Sequence, residues 1–151
     1  MDGSASKLGR GTIYMTANTF FDTNVLVYAA LGKGKDELKR QRALELIESE
    51  DFGTSAQVLQ EFFVTVVKKA SRPLSAAQAL EWIEQWTAFP CQAADHRLVR
   101  IAIERSERYQ ISYWDAGILV AAEALGAHTV YSEDLNDGQR YGTVRVVNPF
   151  V

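Results

Sequence analysis

The strongest constraint on the fold of this chain is the alternation of very short apolar runs with longer segments of helical period. Thr19-Phe20-Phe21, Phe52-Gly53-Thr54-Ser55, Thr129-Val130-Tyr131 and Val144 to Val147 each read as a short strand. Helical segments separate them. Val25 to Leu31 closes at Gly32 and Gly34, since glycine tolerates the positive φ of helix ends. Asp36 to Glu50 is charged and helical in period, and Gln57 to Ala70 carries the apolar stripe Val58, Leu59, Phe62, Phe63, Val66 and Val67. Arg72-Pro73 breaks the chain. Ser75 and Gln78 then have capping-box spacing for a helix whose Ala76, Ala79, Leu80, Ile83 and Trp86 face the core. Asp95 caps a further helix with Leu98, Val99, Ala102 and Ile103 inward, and Ser112 to Leu125 is apolar nearly all round, which implies burial on most sides. Strands separated by helices imply an α/β fold with a mainly parallel sheet flanked by helices. In such sheets ligands gather outside the carboxyl ends of the strands.

A length of 151 residues with 47% apolar content suits one domain with a proper core. Residues 1–14 are broken by Gly3, Ser4, Ser6, Gly9 and Gly11, and Met15 stands directly before the first structured segment. The expected organisation is a tag or disordered extension over 1–14 and a single domain over 15–151. The apolar runs fall far short of the ~20 residues of a membrane span, and the N-terminus lacks an apolar signal region. Cys91 is the single cysteine, so no internal disulfide forms and a reducing compartment is expected, by default the cytoplasm. A net charge of -3 argues at face value against a binder that relies on a basic surface. Carboxylates converging on divalent cations would remove that objection.

Four acids bear on the chemistry. Asp22 follows the first strand and reads either as a helix N-cap or as a metal ligand at the strand edge. Asp115 falls on the side of its helix that should be buried, where a carboxylate is costly unless it is hydrogen-bonded or bound to a cation. Its spacing from Ser112 also fits a capping box. Glu61 lies opposite the apolar stripe of its helix and reads as solvated. Glu133 and Asp134 sit at the end of the Thr129 to Tyr131 strand, and Asp134, two residues after Ser132, is the better candidate. Asp137-Gly138 is a turn signature. Asp22, Asp115 and Asp134 share one edge of the sheet, and an oxygen-rich site of this kind suits Mg²⁺ or Mn²⁺. Carboxylate-held metals are matched to phosphodiester hydrolysis.

The ordered set Phe20-Phe21-Asp22-Thr23-Asn24-Val25-Leu26, Ser55-Ala56-Gln57-Val58-Leu59-Gln60-Glu61-Phe62, Ser112-Tyr113-Trp114-Asp115-Ala116 and Tyr131-Ser132-Glu133-Asp134-Leu135 resembles the PIN-domain nucleases, VapC-like toxins in particular. The closing Val146-Val147-Asn148-Pro149-Phe150 is similar to that group too. The resemblance implies a three-layer α/β/α sandwich, usually homodimeric, that cleaves RNA with Mg²⁺ or Mn²⁺. It places the acids at Asp22, Glu61, Asp115 and Asp134, which changes the reading of Glu61, and gives Asn24 and Ser132 the role of holding the ligands through hydrogen bonds. It also implies a cognate antitoxin partner and an RNA substrate, transfer RNA being a family-level expectation. The acidic run leaves Glu133 and Asp137 as alternatives for the fourth acid. A non-catalytic module of the same fold and a processing nuclease that is not a toxin stay open. A phosphatase of the haloacid-dehalogenase type wants a second aspartate two residues after the first, where this chain has Asn24.

Weaker signals have ordinary readings. Arg97, Arg100, Glu104 and Arg108 share an outward helix face, either solvated or tracking phosphates. Lys68, Lys69 and Arg72 cluster at a helix C-terminus, which also suits the dipole. Trp82, Trp86 and Trp114 read as core or subunit-interface residues, with nothing in the sequence to support base stacking.

Overall fold

The computed structural model describes residues 15–151, so the expected extension over 1–14 lies outside it. The described chain runs β1 (Thr19–Phe21), α1 (Thr23–Leu31), α2 (Glu37–Ser49), β2 (Phe52–Ser55), α3 (Ala56–Val64), α4 (Ala76–Gln85), β3 (Cys91–Gln92), α5 (His96–Tyr109), α6 (Tyr113–Ala124), β4 (Thr129–Tyr131), β5 (Arg140–Tyr141) and β6 (Val144–Val147). The strands form one sheet in the order β3-β2-β1-β4-β6-β5. All neighbours are parallel except β5 and β6, where Tyr141 lies opposite Val144. Helices cover both sides, giving the α/β/α arrangement. No helix of the described residues is long and apolar enough to cross a membrane.

The chain leaves β1 in one direction, toward β2 and β3, and returns on its other side as β4. The boundary between β1 and β4 is therefore a topological switch point, where the loops diverge and open a crevice at the carboxyl ends of the strands. Phe20 and Phe21, on opposite faces of β1, are both fully buried, as expected for a central strand covered on both faces. Phe52 is stacked between Phe21 and Phe89, with ring centroids 4.2 and 4.3 Å away. Beside it, Gly53 leaves room for α6: a Cβ there would come within 2.6 Å of Leu125 Cδ1. Residues Ala116 to Ala122 of α6 are all buried, in agreement with the apolar character of that helix.

The caps expected at Ser75 and Asp95 are present, Ser75 with Gln78 as a full capping box. Three expectations need correction. The helix expected over Gln57 to Ala70 is α-helical only to Val64 and continues as one π turn, Thr65–Lys69, in which the amide of Ala70 donates to the carbonyl of Thr65. The β-branched run Val64-Thr65-Val66-Val67 crowds a tight helical turn, and the wider turn relieves it. Leu80 and Ile103 are about half exposed, Val99 is 37% exposed and Ala76 is exposed, so α4 and α5 bury narrower stripes, centred on Ala79 and on Leu98 with Ala102. These helices lie at the periphery and touch the body along one line. Finally, β3 and β5 were not expected. Each is two residues long, too short to carry a periodic signal.

The C-terminal segment is fastened to the first two helices. Phe150 packs edge-on against Tyr28 at 5.0 Å, Lys39 lies over both rings, and Arg42 Nε donates to the carbonyl of Pro149 at 3.2 Å.

Replacing Phe52 by alanine is expected to lower the unfolding free energy by about 3–5 kcal/mol, because the stack cannot collapse around the missing ring. Urea denaturation followed by circular dichroism measures this, and a loss below about 1 kcal/mol would contradict it.

Candidate active site

Asp22 stands at the first position beyond β1, where its backbone amide still bonds to the carbonyl of Tyr131 on β4. Its carboxylate is the N-cap of α1, one of the two readings its sequence position offered. One oxygen accepts from the amide of Thr23 at 2.7 Å, the other from the hydroxyl of Ser132 at 2.7 Å. Ser132 is fully buried at the end of β4, and its oxygen already accepts from the amides of Asp134 and Leu135. Its single proton is therefore directed at Asp22.

Glu61 projects from the polar side of α3, where Thr23 Oγ1 donates to one carboxylate oxygen at 2.8 Å and Gln57 Nε2 approaches the other at 3.3 Å. Asp134 accepts from Asn24 Nδ2 at 3.1 Å, while Asn24 Oδ1 accepts the amide of Glu133, so Asn24 clamps the loop after β4. Asp115 lies in the first turn of α6. Ser112 caps that helix by accepting the amide of Asp115, the serine half of the expected capping box.

The four acids share one neighbourhood: Glu61 and Asp134 line one cleft, Thr23 next to Asp22 bonds Glu61, and Gln57 links Glu61 to the turn that carries Asp115. Burial pushes Asp22 from 3.8 up to about 6, against its two hydrogen bonds, and the charges of Asp134 and Glu61 push the same way. Asp115 is also raised, first by burial and then by the same two neighbours, with Ser112 acting against them. Like charges gathered in this way settle on polar donors rather than on one another. Among the described residues no three acidic, histidine or cysteine side chains are drawn in closely enough to hold an ion as they stand. The donor chemistry nevertheless fits a hard divalent cation: every candidate ligand is a carboxylate oxygen, and among the described residues Asp22 makes no ion pair with a basic side chain.

Glu133 and Asp137 are engaged elsewhere. Glu133 turns away to an ion pair with Lys39 and accepts from the Tyr28 hydroxyl at 2.6 Å; although partial burial opposes it, these bonds hold its pKa low. Asp137 accepts the amide of Asn148 at 2.8 Å and closes the turn. Asp134 is thus the one acid of this loop that faces the other three.

Three contributors were not found from sequence. Thr23 is masked by its place in the Asp-Thr-Asn run. Gln57 bridges Glu61 and the carbonyl of Trp114, at 3.1 Å, so it ties α3 to α6. Its spacing of four residues from Glu61 was the available signal. Gly117 makes room for it, since a Cβ there would come within 2.5 Å of Gln57 Oε1. A cleft of about 530 Å³ opens beside the acids, lined by Glu61, Asp134, Asn24, Val27, Val64 and Lys69 among others.

The fold and site together define an α/β protein with a carboxylate cluster at its switch point. The chain belongs to the PIN domain family, whose model matches residues 19–139, from β1 to just beyond the loop that carries Asp134. Among solved structures it is similar to the Mycobacterium tuberculosis toxin VapC20, described as cleaving the sarcin-ricin loop, with 19% identity and a TM-score of 0.62 over 77% of this chain and 89% of that one. FitAB bound to a DNA fragment aligns at 18% identity and a TM-score of 0.62 over 88% and 96%. VapBC2 of Rickettsia felis, bound to promoter DNA, aligns at 16% and 0.57 over 85% and 96%. A comparison with curated protein sequences finds no match.

The raised pKa of Asp22 fixes a sign for stability. The folded state holds this proton more tightly than the unfolded chain, so its contribution is most favourable below pH 3.8 and is lost as pH rises to about 6, a difference of about 3 kcal/mol. With chelator present, wild type is therefore expected to lose stability relative to Asp22→Asn as pH rises from 4.5 to 7.5, on top of a pH-independent cost in the variant, whose amide nitrogen replaces one accepting oxygen. An equal difference in urea midpoint at both pH values would contradict the assignment.

Proposed function

We propose that this protein is a metal-dependent endoribonuclease in which Asp22, Glu61, Asp115 and Asp134 hold one or two Mg²⁺ or Mn²⁺ ions. The observation that carries this reading is the placement of four carboxylates at the switch point, with buried Asp22 tied through Ser132 to the loop of Asp134, and Glu61 tied through Thr23 to the start of α1 and through Gln57 to α6 beside Asp115. Bound there, the metal would polarise the scissile phosphate, lower the pKa of a bound water and stabilise the leaving oxygen.

The protein's own contribution is positioning. Thr23 and Ser132 each donate to a different oxygen of Asp22 and so fix the orientation of its carboxylate. Asn24 and Ser132 set the loop so that Asp134 faces Asp22, and Thr23 with Gln57 holds Glu61 where it orients the attacking water. Asp115 closes the set from α6. Holding these groups before substrate arrives removes much of the reorganisation that hydrolysis would otherwise require.

The likeness to VapC20, FitAB and VapBC2 supports a place among the toxins of toxin–antitoxin pairs, acting in the cytoplasm as a homodimer. The partner would be a cognate antitoxin that covers the acids. A structured RNA, such as a transfer RNA or a ribosomal loop, is the substrate class this reading favours.

Purified protein incubated with a mixed, end-labelled RNA pool is expected to cut with Mg²⁺ or Mn²⁺ and not with chelator. Asp22→Asn should lose cleavage by at least about a hundredfold while keeping its circular dichroism spectrum. Absence of cutting by folded wild-type protein with either metal would overturn the nuclease reading. Gly117→Ala is expected to keep the fold and still lower kcat, because it displaces Gln57 from Glu61 rather than disturbing the core. Unchanged kcat in that variant would remove Gln57 from the site.

A further inference from the structure

The four acids give a substrate strand no grip, since RNA brings negative charge to a negative cluster. What flanks them along α3 does. Gln57, Glu61 and Lys69 follow one another on α3 and its π turn, four and eight residues apart. At about 1.5 Å per residue, Gln57 lies about 6 Å before Glu61 and Lys69 on the order of 12 Å beyond it.

On the Gln57 side stands Trp114, whose carbonyl accepts from Gln57 Nε2 and whose neighbour in the chain is Asp115. Trp114 as a residue is 62% exposed, while every other Phe, Tyr and Trp among the described residues is buried or half-buried. The sequence placed Trp114 with Trp82 and Trp86 in the core or an interface. Trp86 is buried at 3% and packs on Phe62, whereas Trp114 lies outside the core of the single chain, with Tyr113 edge-on at 5.0 Å.

On the other side, Lys69 lines the same cleft as Glu61 and Asp134. Beyond it, Arg72, Lys33 and Lys35 border a second hollow of about 550 Å³ with Asp36 as the one acid. Among the described residues none of these four cations makes an ion pair. On the outward face of α5, Glu104 takes up Arg108 at 2.8 Å, and Arg97 and Arg100, also without an ion pair among the described residues, border hollows lined by none of the four acids.

We propose that a single-stranded segment of the RNA substrate lies along α3, with one base stacked on Trp114, the scissile phosphate at the acids, and the phosphates beyond it carried by Lys69 and Arg72 toward Lys33 and Lys35. The separations along α3 correspond to steps of a nucleotide or two in an extended strand. Stacking on an exposed indole requires an unpaired base, which selects single-stranded loops over duplex. Lysine and arginine contacts set register without reading sequence. This path rests on the nuclease reading above.

The test is steady-state cleavage of a short labelled single-stranded RNA by wild type, Trp114→Ala, Trp114→Phe and Lys69→Ala/Arg72→Ala, with binding to the Asp22→Asn protein measured across a salt series. Trp114→Ala should raise KM about tenfold with kcat little changed, and Trp114→Phe should recover most of the loss. The double variant, made in the Asp22→Asn background, should flatten the dependence of log affinity on log salt by about 1.4. If wild type cuts RNA while KM and salt slope are unmoved, the path is wrong and the nuclease reading stands. If Trp114→Ala instead changes the association state in sedimentation and leaves KM unaltered, Trp114 is an interface residue and the proposal fails. If wild type cuts no RNA, the nuclease reading falls and takes the path with it.

Discussion

The hydrogen bond from Ser132 to Asp22 joins the ends of the two central strands at the point where the chain reverses its direction of growth through the sheet. A carboxylate buried to this degree is costly without partners. Ser132 meets that demand only because two backbone amides of its own loop occupy its acceptor positions and send its proton one way. The same bond positions Asp134, since the loop that carries it is built around the serine oxygen. Fold and site therefore share a single fastening.

Much of this was legible in the sequence, for reasons that differ by element. Asp22, Asp115 and Asp134 stand next to strong local signals: an apolar strand, a helix cap, a strand end. Glu61 did not. Its surroundings on α3 look like any solvated helix face, and only the ordered resemblance singled it out, because what makes it part of the site is Thr23, 38 residues away in sequence. Gln57 was harder still to single out: its spacing from Glu61 suggests only a pair on one helix, and the carbonyl it binds on α6 is 57 residues away. The short edge strands β3 and β5 carry no pattern of their own and exist because a neighbour offers backbone groups. The exposure of Leu80 and Ile103 reflects packing at the periphery, where helical period alone does not say how wide a stripe is covered.

Charge in this molecule is sorted rather than averaged. A net value of -3 conceals an acidic crevice and, beyond the far end of α3, a group of cations that make no ion pair among the described residues. The helix between them has its aromatic neighbour at one end and its basic one at the other. Bulk charge is a poor guide to partners when a single helix separates the two signs.

The clasp at the C-terminus carries a consequence of another kind. Phe150 and Pro149 hold Tyr28 and α2, and Tyr28 with Lys39 holds Glu133, the residue next to Asp134. The last residues of the chain are thus mechanically connected to the loop that bears an acid of the crevice. A substitution that loosens Phe150 from Tyr28 would therefore slacken a loop that Phe150 never touches.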